Sequence, residues 1–95
     1  MIRMTGPIAC PDDTICCYED FHYVGPQEKL TPANACQGLT RIPVARSVYN
    51  NTDGMVKVYQ NHECEGTVVT TIEPGSGKRM IEPPIRSVKF VSLMS

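Results

Sequence analysis

Tryptophan is absent from this 95-residue sequence, and aromatic residues are scarce, with two Phe and four Tyr. A domain of this length buries only about 60–65% of the surface of its unfolded chain, so a core with few large side chains benefits from covalent support. Five cysteines are available to provide that support. Their number in a small chain favours an oxidising, extracellular setting over the cytosol.

The sequence also lacks an excess of one charge and any long apolar run. The formal net charge is −1, with acids and bases interspersed in both halves. Without a basic stripe, nucleic acid is not expected as a partner, and the short apolar runs exclude a transmembrane helix. The stretch MIRMTGPIA at positions 1–9 is too short and too polar for a secretory signal. We therefore expect that a signal was removed from this chain or that export takes another route.

Helical periodicity is missing as well. No stretch of 11 residues keeps a helical apolar pattern without Pro or Gly. Short runs rich in Val, Ile, Tyr and Thr alternate instead with turn signals, which predicts an all-β sandwich or barrel. Residues 51–54 (NTDG) predict a tight hairpin connection between two of these strands. The predicted strands cover residues 14–18, 28–31, 47–50, 55–59, 67–72 and 86–91.

The chain contains an internal repeat. PVARSV at 43–48 matches PPIRSV at 83–88, and ICCYEDFHYVG at 15–25 lies over VKVYQNHECEG at 56–66. Repetition at this period indicates one supersecondary unit used twice. We expect one domain over residues 1–95, a two-sheet sandwich of two Greek-key units covering about 10–52 and about 53–93. Each unit has four strands if each loop hides a short one.

The repeat also predicts which way the adjacent cysteines point. Alternate strand residues face opposite ways, so Val56 and Val58 face the core while Lys57 faces outward. By the alignment Cys17 faces the core and Cys16 faces outward. We expect Cys17 to be a buried hydrophobe with a free thiol and Cys16 to be available for bonding.

The repeated residues resemble a known motif. Both copies are similar to the βγ-crystallin Greek-key pattern of an aromatic, four residues, a second aromatic, one residue, a glycine and a later serine. In that family the glycine takes a positive φ in a folded hairpin and the serine hydroxyl ties the hairpin down. The resemblance implies a βγ-crystallin-like sandwich. The motif residues are Tyr18, Tyr23, Gly25 and Ser47 in the first copy, and Tyr59, Cys64, Gly66 and Ser87 in the second, where Cys64 replaces the second aromatic.

Three segments narrow the resemblance. CPDDTICCY, ARSVYNNT and YQNHECEG are similar to stretches of the secreted βγ-crystallin-like peptidase-inhibitor family, and the likeness covers residues 10–91. Spacing alone leaves three pairings open for four cysteines. The resemblance implies a disulfide-braced fold with the bridges Cys10–Cys16 and Cys36–Cys64, leaving Cys17 unpaired.

The resemblance implies a small, secreted, non-enzymatic protein that binds and inhibits an extracellular peptidase. Its candidate contact loop consists of Asn61, His62, Glu63, Cys64 and Glu65, although the family's loop is longer and is pinned by a close cysteine pair. The alternative is a structural or interaction module that coats a cell or particle surface, such as a virion component, without inhibitory activity. In that case the segments 1–4 and 91–95 would be docking arms.

Catalytic and metal chemistry are not indicated. No Ser-His-Asp or Cys-His grouping is recognisable, and consecutive His62, Glu63 and Cys64 cannot converge on one metal ion without a sharp turn. The windows that bind calcium in many βγ-crystallins are 42–47 and 82–87 here. The first two residues of the earlier window, Ile and Pro, supply no side-chain oxygen, and Glu82 supplies one carboxylate in the later window. Arg46 and Arg86 stand where the first Ser or Thr of the pattern belongs and would repel a cation. PGSGKR at 74–79 is interpreted as a turn, not a phosphate loop. We therefore expect no enzyme activity, no cofactor and no calcium binding.

Overall fold

The computed structural model describes residues 10–93, which form eight β-strands and one 3-10 turn, Phe21–Tyr23. The predicted all-β class is confirmed, and each of the six predicted strands ends within one residue of its observed bounds. The segments 1–9 and 94–95 lie outside the described residues, and with them the whole of the suggested docking arm 1–4 and the end of the arm 91–95. Within 10–93 no helix has the length and apolar character to cross a membrane. The strands are β1 (Thr14–Tyr18), β2 (Gln27–Leu30), β3 (Cys36–Gly38), β4 (Ser47–Asn51), β5 (Met55–Tyr59), β6 (Val68–Ile72), β7 (Ser76–Lys78) and β8 (Ser87–Val91).

The strands form two four-stranded sheets, in the orders β2-β1-β4-β7 and β3-β8-β5-β6. Each pairing between these strands is antiparallel. Each half of the chain places three strands in one sheet and one in the other, because β3 pairs with β8 and β7 pairs with β4. Neither half completes a sheet alone, so the two halves depend on each other for their hydrogen bonds and for their shared core.

The connection over residues 51–54 crosses from one sheet to the other, so the hairpin prediction was wrong. Strand β4 pairs with β1 and β7, whereas β5 pairs with β6 and β8. The buried amide of Asn50 stabilises the crossing: its Nδ2 donates to the carbonyls of Gly54 (2.8 Å) and Ile72 (2.9 Å). Its Oδ1 accepts from the N–H of Thr52. These bonds connect β4 with the second sheet and direct the chain across the core.

Residues 76–78 form strand β7, although the sequence predicted a turn over 74–79. Only Pro74 and Gly75 make the turn. Strand β7 pairs with β4, and Gly77 lies against the hydroxyl of Tyr23 and the ring of Tyr49, where a Cβ would come within 2.7 Å of Tyr49 Cδ1. Strand formation here depends on tertiary contact, because glycine has low strand propensity.

The main core lies between the two sheets and follows the alternation of inward residues along the strands. Cys17 belongs to it with a free thiol, as the sequence predicted. Its members are Ile15, Cys17, Leu39, Ile42, Ala45, Val48, Val56, Val58, Ile72, Ile81, Ile85 and Val88.

A second, smaller cluster lies on the other face of the first sheet and contains Cys10, Cys16, Tyr18 and Tyr49. Cys16 lies in this cluster, away from the main core, but it is 0% exposed. It therefore faces away from the main core and is bonded, as predicted, and the neighbouring tyrosines and its disulfide partner Cys10 cover it.

Candidate functional site

The loop over residues 61–65, between β5 and β6, is the folded tip of the second hairpin. The hydroxyl of Ser87 accepts a hydrogen bond from the N–H of Cys64 (3.0 Å) and donates one to the carbonyl of Asn61 (2.7 Å). Ser87 lies at the start of β8 and is 0% exposed. The tip is therefore held to the sheet by a buried hydroxyl that uses both its donor and an acceptor.

Left-handed backbone angles shape this tip. Cys64 has φ 54° and Gly66 has φ 83°, and the corresponding residues of the first hairpin, Tyr23 and Gly25, have φ 60° and 88°. Glycine takes such angles without the steric cost that a Cβ imposes. At Gly25 a Cβ would also collide with the Asp20 carboxylate. The motif glycines thus lie where the folded hairpins require them.

The side chain of Asn61 caps the tip from inside. Its Oδ1 accepts hydrogen bonds from the N–H groups of Glu63 (2.9 Å) and Glu65 (3.3 Å). Beside it, the guanidinium of Arg86 donates to the carbonyl of Gln60 (3.3 Å). Main-chain groups at the start, middle and end of the tip therefore have fixed partners.

A disulfide joins the tip to the neighbouring strand. Cys64 is bonded to Cys36 on β3, with 5.8 Å between their Cα atoms. In the first hairpin Tyr23 occupies the equivalent position and packs edge-on against Tyr18 and Tyr49, at ring-centroid distances of 5.6 and 6.2 Å. The second hairpin thus replaces aromatic packing with a covalent bond.

His62 is engaged within the chain. Its Nε2 lies 2.8 Å from the carbonyl oxygen of Leu39, and its ring packs so close to Gly38 that a Cβ there would approach Cε1 to 2.6 Å. The imidazole therefore links the tip to the loop after β3. This link was not foreseen from the sequence, which placed His62 with Glu63 and Glu65 as outward contacts.

Glu63 and Glu65 supply the carboxylates of the tip. Both residues are exposed, and within residues 10–93 their carboxylates have no hydrogen bond or ion pair. A surface formed by these two carboxylates on a backbone with fixed hydrogen bonds can make polar contacts with another protein.

The windows considered for calcium hold their arginines in structural roles. Arg46 donates to the carbonyl of Glu19 (3.1 Å), as Arg86 does to that of Gln60. In the part of the chain that the structure describes, no three His, Cys, Asp or Glu residues are grouped as metal ligands. That calcium does not bind remains a prediction.

Glu28 is a buried carboxylate that the sequence interpretation did not single out. It is 4% exposed and accepts hydrogen bonds from the N–H groups of Thr40 (2.9 Å), Arg41 (2.6 Å) and Ile42 (3.3 Å). Burial opposes its ionisation, but these bonds outweigh burial and lower the pKa of the carboxyl. The only sequence signal was a charged residue at an inward-facing strand position.

The chain is similar to a known protein family and to solved βγ-crystallin structures. The family model described as peptidase inhibitor family I36 matches residues 4–71. A βγ-crystallin domain from Clostridium beijerinckii is 25% identical, with a TM-score of 0.64 over 81% of this chain and 95% of that one. A structure titled as the evolution of the eye lens βγ-crystallin domain fold is 14% identical, with a TM-score of 0.70 over 93% and 95%. No curated protein sequence matches the chain.

Proposed function

This chain belongs to peptidase inhibitor family I36, and from that membership we propose that it binds and inhibits a peptidase outside the cell. The family and the βγ-crystallin fold are of non-enzymatic kinds, so the proposed mechanism is occlusion of the peptidase by a bound surface. The proposed contact is the tip over residues 61–65.

The observation that carries this proposal is the fixed backbone of the tip. Cys64 is bonded covalently to Cys36, and its N–H donates to Ser87. Asn61 supplies the internal cap. A binding loop that is ordered before docking loses little conformational entropy on association, which favours affinity. Although the family's longer loop and second cysteine are missing, these bonds restrain the shorter tip.

The two disulfides support the extracellular setting of the proposal. Four of the five cysteines form two disulfides, and the fifth is buried. Disulfides of this structural kind persist in oxidising environments and are rare in the cytosol. The partner is therefore proposed to be a peptidase that works outside the cell.

The direct test is an inhibition assay against a thermolysin-like metallopeptidase and a panel of serine peptidases. We expect inhibition at micromolar concentration by the native chain and weaker inhibition by the double variant Glu63→Gln/Glu65→Gln. The matched control is Asp53→Asn/Glu73→Gln, which removes two other exposed carboxylates.

The assay has two adverse outcomes. Absence of inhibition across the panel contradicts the proposed activity and favours the alternative of a structural or interaction module. Equal weakening by the tip variant and the control contradicts the assignment of the contact, because net charge alone would then explain the effect.

A further inference from the structure

A small basic cleft lies on the first sheet, away from the residues assigned to peptidase contact. Strand β2 is at the edge of that sheet, and its residues alternate, with Gln27 and Lys29 exposed and Glu28 buried between them. Gln27 and Lys29 therefore lie on the same face of the strand. Together with Arg41 they line a cleft of about 340 Å³.

Glu28 holds Arg41 at this cleft. Its carboxylate accepts three hydrogen bonds from the main chain of residues 40–42, including one from Arg41 itself at 2.6 Å. The loop between β3 and β4 is thereby fixed against the edge strand. The fold therefore forms the basic cleft. Buried Glu28 of β2 positions the loop that carries Arg41, and Arg41 then lies beside the two exposed side chains of β2.

The cations of the cleft are not neutralised within residues 10–93. The structure shows no ion pair for the ammonium of Lys29 or the guanidinium of Arg41. The nearest acid in sequence, Glu28, faces inward and is satisfied by the hydrogen bonds of the loop. Two positive charges and the amide of Gln27 therefore line a concave surface.

We propose that this cleft binds carboxylate side chains of an acidic segment of a protein partner. The planar guanidinium of Arg41 is suited to bidentate pairing with a carboxylate, and Lys29 and Gln27 supply further donors. Two cations on a chain of net charge −1 do not form the extended basic track that a nucleic acid requires. The charge complementarity therefore matches a short acidic peptide.

The position on an edge strand supports the same occupant. One side of β2 pairs with β1, and its other side has no partner strand among residues 10–93. Extended peptides bind to such edges through main-chain hydrogen bonds. A lysine on an edge strand discourages pairing with other strands, but opposite charges attract, so Lys29 favours an acidic segment over a neutral one.

This inference goes beyond the proposed peptidase contact and does not depend on it. The two surfaces are connected, because His62 of the tip approaches the carbonyl of Leu39, two residues before Arg41. A peptide titration needs no peptidase, so its failure and that of the inhibition assay can be distinguished.

The test is an NMR titration of the native chain with the peptide acetyl-Glu-Asp-Glu-Asp-amide at fixed ionic strength. We expect saturable shifts of the side-chain resonances of Gln27, Lys29 and Arg41. The peptide acetyl-Gln-Asn-Gln-Asn-amide should produce none. Absence of saturable shifts with the acidic peptide overturns the proposal, as does inorganic phosphate binding the cleft more tightly than the peptide does.

Charge-matched variants separate the cleft from the net charge of the protein. The double variant Lys29→Gln/Arg41→Gln should weaken peptide binding about tenfold or more, because two charge-assisted contacts are lost. The control Lys78→Gln/Arg79→Gln removes the same charge from two exposed residues at the opposite edge of the sheet and should retain binding. Equal weakening in both variants would overturn the assignment. The amide spectrum of each variant verifies its fold, since Arg41→Gln retains the N–H that bonds to Glu28.

Discussion

Ser47 and Ser87 make the same pair of hydrogen bonds in the two halves of the chain. Ser47 accepts from the N–H of Tyr23 (2.9 Å) and donates to the carbonyl of Asp20 (2.6 Å). Ser87 does the same with Cys64 and Asn61. In each half the serine bonds to two residues that are three positions apart, and these bonds close the folded hairpin. The repeated sequence therefore forms the same hydrogen bonds twice.

Loss of either hydroxyl should destabilise the fold. Ser47→Ala or Ser87→Ala leaves a main-chain N–H and a carbonyl without their partner, and we expect a loss of about 1–3 kcal/mol in the free energy of unfolding. Urea denaturation measures the change. Ser76→Ala, on the edge strand β7, is the control and should change stability by less than about 0.5 kcal/mol. A neutral result for both buried serines would contradict their closing role.

The two disulfides should contribute unequally to stability. The Cys36–Cys64 bridge closes a sequence separation of 28 and the Cys10–Cys16 bridge one of 6. Loop-closure entropy predicts losses of about 3.5 and about 2 kcal/mol when each pair is replaced by Ala, measurable by urea denaturation. Only loss of the Cys36–Cys64 bridge should also weaken peptidase inhibition, because it restrains the tip. If both variants inhibit equally, inhibition does not depend on the rigidity that the Cys36–Cys64 bridge gives to the tip.

The repeat allowed much of the fold to be predicted, because Tyr-to-Gly spacing and a later Ser identify each hairpin locally. What could not be predicted depends on distant segments. Strand alternation correctly predicted that Cys16 and Cys17 lie on opposite faces of β1, but it could not indicate that tyrosines would cover Cys16. The role of Glu28 was equally hidden, since its partners lie 12 to 14 residues further along the chain.

The carboxylate of Glu28 should make stability depend on pH. Its pKa is lowered from the ordinary value of 4.5, since hydrogen bonds from residues 40–42 outweigh its burial. A lowered native pKa means that the ionised group stabilises the fold above about pH 4.5 and that this contribution disappears as pH falls through the native pKa.

The matching variant is Glu28→Gln, which retains size but loses the charge. We expect a loss of about 1–3 kcal/mol at pH 7 and a flatter acid dependence, measured by urea denaturation from pH 7 to pH 3. Glu73→Gln, an exposed carboxylate, is the control and should follow the native curve. If Glu28→Gln retains the native acid dependence, the buried carboxylate is not its source.

The thiol of Cys17 should be inert in the native protein. Burial, and secondarily the negative charge of Glu28, raises the pKa of this thiol far above neutrality, and the thiolate is the reactive form. We therefore expect Ellman's reagent at pH 8 to label no cysteine in the native chain and one per chain in guanidinium. Cys17→Ser, which puts a hydroxyl in the apolar core, should cost about 1–3 kcal/mol, whereas Cys17→Val keeps the site apolar and should cost less. Two or more reactive thiols after denaturation would mean that a bridge is open, and rapid labelling of the native chain would mean that β1 separates readily from the core.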